Sequence, residues 1–133
     1  MRKTLLILFF SVAIISCTER RVSQYIEQGN TKHYREDYRG ALEDFTRVIE
    51  LDPNNADAYY KRGFSKFFLD DERGAVADFT RAIELDPNDA KSYHLRGLSR
   101  VTLGDESGGC LDLIKAKELG LEKEYDSIRK ICD

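Results

Sequence analysis

The chain has 133 residues, enough for one domain, with a formal charge of −3, ordinary apolar and charged fractions, and no Trp. An acidic domain lacks the basic face that phosphate neutralisation needs, which excludes nucleic acid as a partner. No stretch is long enough and polar enough to be read as disordered.

In chain order, Arg2 and Lys3 give a short positive start, and Thr4 to Ser16 is an apolar run of thirteen residues. A bilayer span takes about 20 residues, so the run fits the core of a secretory signal better than a membrane helix. It ends at Ile14-Ile15-Ser16-Cys17. This resembles the bacterial lipobox, a small residue before a Cys that is diacylated and becomes the new N-terminus; Ile14 stands where Leu is usual. The resemblance implies that residues 1–16 are a lipoprotein-type signal peptide and that acylated Cys17 enters a lipid bilayer. The charge would then fall from −3 to −5 as Arg2 and Lys3 leave. Two alternatives stay open: an ordinary cut after Ser11-Val12-Ala13, leaving Cys17 as a free thiol, and a retained membrane helix. Residues 17–21 are expected to be the lipidated Cys and a short tether, at most ~15 Å long if extended. Thr18 is not the Asp that signals inner-membrane retention in Gram-negative lipoproteins. The resemblance therefore favours the periplasmic face of the outer membrane within the bacterial cell envelope.

Beyond the tether lies an internal repeat. Asp44 to Ala56 reads DFTRVIELDPNNA and Asp78 to Ala90 reads DFTRAIELDPNDA, identical at eleven of thirteen positions and offset by 34. Gln28-Gly29, Arg62-Gly63 and Arg96-Gly97 keep the same period, as do Gly40, Gly74 and Gly108. A period in this range signals stacked supersecondary units. The pattern resembles the tetratricopeptide repeat: an aromatic (Tyr25, Tyr59, Tyr93), a Gly (Gly29, Gly63, Gly97), a small residue (Ala41, Ala75, Gly109), a large apolar residue (Phe45, Phe79, Leu113), a second small position (Val48, Ala82, Ala116) and a closing Pro (Pro53, Pro87, with Leu121 in the third). The resemblance implies an all-α superhelix of three helix-turn-helix repeats, 22–55, 56–89 and 90–123, followed by a capping half-helix over 124–133. Gly permits close helix approach, the rings fill the gaps between hairpins, and Asp-Pro ends a helix. Asn55 and Asp89 suit the cap of the next helix. In the third repeat, Gly108 and Gly109 each cost about 1 kcal/mol against Ala, so its second helix is expected to start late or fray.

With Cys17 lipidated, Cys110 and Cys132 remain, each eleven residues from Leu121 at the predicted turn. Antiparallel helices would bring them together in a disulfide; the alternative is two buried, reduced thiols. A catalytic pair usually reads Cys-x-x-Cys, and a metal needs more than two ligands.

By the same resemblance, the first helix of each repeat lines a concave groove. The positions facing it are Ser23, Ile26, Asn30, His33 and Tyr34, then Asp57, Tyr60, Phe64, Phe67 and Phe68, then Lys91, His94, Leu98, Val101 and Thr102. Four rings on one helical face suit an aromatic docking surface for a protein or peptide, with at least one of Phe64, Phe67 and Phe68 in the core and at least one exposed. Some family members hold a peptide carboxylate in a clamp of Lys, Asn and Arg. Asn30 and Lys91 match two clamp positions, but Ile26 and Leu95 fill others, so that ligand is rejected. Glu43-Asp44 and Asp70-Asp71-Glu72 are read as solvated surface; the latter lacks the spaced ligands of a Ca²⁺ loop. No nucleophile elbow, phosphate-binding loop or metal-ligand cluster is present, and His33 and His94 are taken as contact residues. The reading is thus a non-catalytic interaction module without cofactor or small-molecule substrate. The rival reading is a structural subunit of an outer-membrane or pilus assembly machine that uses its convex face.

Overall fold

The computed structural model describes residues 2–123 together with Lys130 and Cys132, with side chains described from Ile15 onward. Six helices follow one another, α1 (Arg2–Tyr34), α2 (Tyr38–Leu51), α3 (Ala56–Phe68), α4 (Glu72–Leu85), α5 (Ala90–Thr102) and α6 (Glu106–Glu118), with no strand among the described residues. They pair as antiparallel hairpins, α1 with α2, α3 with α4 and α5 with α6, and each hairpin stacks on the next. The all-α superhelix of helical hairpins is therefore present.

The period is visible in the caps. Asp37, Asp71 and Asp105 begin α2, α4 and α6, their carboxylates accepting from the N–H of Gly40, Gly74 and Gly108 at 3.0 Å. Asn55 caps α3 by accepting from Ala58 N–H, and Asp89 caps α5 by accepting from Lys91 N–H. Such caps satisfy N–H groups that a helix start leaves orphaned. At the other end, α2 and α4 stop at Leu51 and Leu85, directly before Asp52-Pro53 and Asp86-Pro87.

The core runs between the hairpins as Ala41, Phe45, Val48 and Ala58, then Ala75, Phe79, Ala82 and Ile83, then Leu113 and Ala116. A Cβ on Gly63 would lie 2.9 Å from the Phe79 ring, and one on Gly29 2.8 Å from the Phe45 ring. Those glycines therefore set the distance between the two helices of a hairpin.

Three expectations are corrected. Thr18–Arg21 are helical, part of α1, and not an extended linker. No Pro or Gly interrupts the chain between Thr4 and Gln28, so nothing stops the helix there. At 1.5 Å rise the segment spans about 6 Å instead of ~15 Å. Secondly, α6 starts neither late nor frayed: it opens 34 residues after α4, as α4 does after α2. Gly109 is held where a Cβ would meet the Gly97 carbonyl at 2.7 Å, so close packing of α5 on α6 outweighs the propensity cost. Thirdly, Asp44 is buried rather than solvated; Asp70 and Asp71 are exposed as expected, and Asp71 also caps α4.

Cys110 and Cys132 form a disulfide, with Cα atoms 5.5 Å apart. In the chain-entropy picture a loop of this size contributes about 3 kcal/mol. The capping half-helix predicted over 124–133 lies outside the described residues, apart from Lys130 and Cys132.

Candidate functional site

Near its C-terminal end α3 presents a run of rings. Tyr60 and Phe64 lie 6.2 Å apart between centroids, Phe64 and Phe68 4.7 Å, and Phe67 and Phe68 5.5 Å. Tyr38 at the start of α2 stacks on Phe68, with centroids 4.7 Å apart and planes 14° from parallel. His33 near the end of α1 meets Phe64 edge-on at 5.2 Å. The result is a continuous aromatic surface built by the first two hairpins. Phe68 is 49 % exposed and Tyr34 92 % exposed. Tyr60, Phe64 and Phe67 are half-buried, so none of the α3 phenylalanines reaches the fully buried core. The expectation that at least one of Phe64, Phe67 and Phe68 is core is thereby corrected: the fully buried rings are Phe45, beneath Lys61, and Phe79, against Tyr60 and Gly63.

The remaining predicted groove residues divide by role. Ile26 packs against the first core cluster and is structural. Exposed Asn30 accepts from Lys61 Nζ at 2.7 Å, and Lys61 also pairs with Asp57 at 2.9 Å. His33 Nε2 and Ser65 Oγ share a hydrogen bond at 2.6 Å, and Ser65 donates to the Lys61 carbonyl at 3.1 Å. This link joins the first repeat to the second. Burial, then the Lys61 charge, lowers the His33 pKa from 6.5, keeping the imidazole neutral. His94 and Leu98 are half-buried on α5, and Lys91 is exposed at its start.

An open pocket of about 430 Å³ lies between the N-termini of α3 and α5 and is lined by Asp57, Tyr60, Asp86, Asn88, Asp89 and Lys91, among others. Tyr60 belongs both to this pocket and to the ring run. Its hydroxyl pKa is pushed up to about 12, first by burial and then by Asp89 and Asp57. No group of three or more metal-ligating side chains occurs among the described residues.

Sequence reasoning missed two features. Tyr38, in the turn region of the first repeat, completes the aromatic surface but has no counterpart one period later, where Glu72 stands. The second is a ladder of buried carboxylates at the 34-residue spacing. Asp44 pairs with Lys32 at 2.8 Å. Asp78 takes both Arg62 (2.8 and 2.7 Å) and Lys66 (2.8 Å). Asp112 takes Arg96 (2.8 and 2.7 Å) and Arg100 (2.8 Å). The signal was legible: each Asp follows a basic residue by twelve positions, and the last two also follow an Arg by sixteen.

Comparison with known proteins agrees with this architecture. Residues 29–67 match the family model described as TPR repeat, and residues 56–89 match the one described as tetratricopeptide repeat. No curated protein matches the sequence. Among solved structures, the Arabidopsis OM64 TPR domain is similar at TM-score 0.81 and 24% identity, covering 85% of this chain and 94% of that one. The second TPR domain of human RPAP3, solved in complex with the HSP70 peptide SGPTIEEVD, is similar at TM-score 0.80 and 25% identity, covering 87% and 98%. MamA is similar at TM-score 0.80 and 23% identity, covering 90% and 71%.

Proposed function

We propose, for a chain whose fold is the tetratricopeptide-type superhelix, that it is a protein-interaction module taking a partner protein or peptide on the aromatic surface of α3. The observation that carries this reading is the unbroken ring run Tyr60–Phe64–Phe68–Tyr38, within which Phe68 is half-exposed. Rings that can be half-desolvated and then covered are the usual anchors of peptide interfaces. The RPAP3 domain, alike in fold, holds a peptide. No catalytic role is assigned: His33 is held neutral and its Nε2 is hydrogen-bonded to Ser65.

The proposal includes a membrane tether. Cys17 is a free, exposed cysteine directly after the apolar run Thr4–Ser16. No helix among the described residues is long and apolar enough to cross a membrane. Acylation of Cys17 would supply an anchor in the cell envelope, since two or more chains hold firmly where one does not. Metabolic labelling with radioactive palmitate tests it: label in the wild type and none in Cys17→Ser is expected.

The groove is tested by selecting displayed peptides on the full chain in detergent micelles and measuring them again on Phe68→Ala. Binding should weaken at least tenfold while the far-ultraviolet dichroism and melting midpoint hold. Unchanged binding would shift the reading to another face. The second reading, docking of a larger assembly on the outer surface, draws on Leu111 (69 % exposed) and Ile114 of α6.

A further inference from the structure

The two ends of the α3 surface differ in chemistry. Toward its C-terminus lie the rings; toward its N-terminus the same surface runs through Tyr60 into the pocket that holds Asp57, Asp86 and Asp89 with Lys91. Three carboxylates thus face one ammonium in that pocket. The other nearby cation, Lys61, is engaged by Asp57 at 2.9 Å and by Asn30 at 2.7 Å. Among the described residues, the bonds made to Asp86 and Asp89 come from neutral groups, the N–H of Asn88 and of Lys91 and the Ser92 hydroxyl, and neither carboxylate has an ion-pair partner there. The raised Tyr60 pKa reports the same negative field, since Asp89 and Asp57 both contribute to it after burial. The imidazole of His33, neutral through burial, adds no positive charge to the ring surface.

Resting on the groove reading above, we infer that the partner segment is an apolar-and-basic peptide: an aromatic or Leu side chain seats against Phe64 and Phe68, and a Lys or Arg reaches the carboxylates beside Tyr60. Charge complementarity selects among peptides and excludes acidic ones, because a carboxylate in this pocket would meet like charges. The spacing follows from the helix. Asp57 to Phe68 is eleven residues of α3, about 16 Å along its axis. An extended peptide covers that in about five residues, so the basic residue should lie about five positions from the apolar anchor.

The test uses labelled peptides of about twelve residues on a Ser/Gly background, each with one Phe and, five positions away in either direction, a Lys pair or a Glu pair. Fluorescence polarisation is read on the full chain in uncharged detergent micelles. The Lys peptides should bind about tenfold tighter than the Glu peptides, the size expected of a few solvent-exposed ion pairs. The preference should shrink as salt is raised and collapse in the Asp57→Asn, Asp86→Asn double variant, while Phe68→Ala weakens both sets alike. Glu peptides binding as well as or better than Lys peptides, with Phe68→Ala still weakening them, would overturn this inference and leave the groove standing. Binding of neither set, or binding indifferent to Phe68→Ala, would overturn both.

Discussion

Removing the Asp78 carboxylate asks how much the buried ion-pair ladder contributes. Asp78 is 4 % exposed and neutralises two cations at once, Arg62 through a bidentate contact and Lys66 through a single one. Asp78→Ala leaves both without an ion-pair partner among the described residues, Arg62 keeping its position over the Tyr59 ring. Breaking a buried pair from one side costs about 3–5 kcal/mol. Here the side chains of Arg62 and Lys66 keep 18% and 19% of their exposure, so their heads can reach water by a modest rotation. The expected cost is therefore near the lower bound, ~3 kcal/mol, a fall in melting midpoint on the order of 15 °C for a domain of this size. Asp44→Ala is the internal control. Its only ion-pair partner among the described residues, Lys32, is 35% exposed and already half in solvent, so ~1 kcal/mol is expected. Replacing the whole cluster, with Asp78→Leu, Arg62→Met and Lys66→Met, should recover most of the loss, because no charge is then stranded. Urea titration of the full chain in micelles, followed by helical dichroism, measures all of these. Equal losses for Asp44→Ala and Asp78→Ala, or a loss below ~1 kcal/mol for the latter, would refute the claim that the second carboxylate carries a double load.

Other predictions rest on single contacts. His33 has a folded pKa below its ordinary 6.5, so the unfolded chain takes up a proton more readily. The stabilisation it gives is full above about pH 6.5 and is lost as pH falls toward the lowered folded value; melting between pH 8 and 5 should show a drop that His33→Gln flattens. Ser65 and Ser99 stand one period apart and are both fully buried, yet Ser65 bridges His33 and the Lys61 carbonyl whereas Ser99 Oγ finds no hydrogen-bond partner among the described residues. Ser65→Ala should therefore cost about 1–3 kcal/mol by stranding the imidazole, while Ser99→Ala should be neutral or stabilise, in paired denaturation curves. Gly109→Ala should destabilise by ~2 kcal/mol despite a better helix propensity, because its Cβ would fall 2.5 Å from Val101 Cγ2 and 2.7 Å from the Gly97 carbonyl; a gain in melting midpoint would show that α5 and α6 can separate freely.

The 34-residue period by itself determined the helical hairpins, their boundaries at Asp-Pro, and the glycines at which paired helices come close, while the structure showed that each meets a ring of its own hairpin, Gly63 on Phe79. These are local or nearest-neighbour properties, and each is repeated, so the chain states them more than once. The equal spacing of Cys110 and Cys132 from Leu121 likewise made their bond legible, because the expectation depended only on distance from a predicted turn. What the tertiary structure alone decided are matters of which neighbour a side chain meets. Periodicity marks Asp44, Asp78 and Asp112 as equivalent, but whether they point to solvent or to Lys32, Lys66 and Arg100 depends on how the two helices of a hairpin pack together. The same holds for Tyr38, which departs from the repeat and joins the rings only because the turn after α1 lays it on Phe68. Ser65 and Ser99 look alike in sequence, and only the packing of His33 from the preceding repeat separates them. Pattern fixes what recurs; contacts between residues far apart in the chain are set when the hairpins close on one another and exclude water.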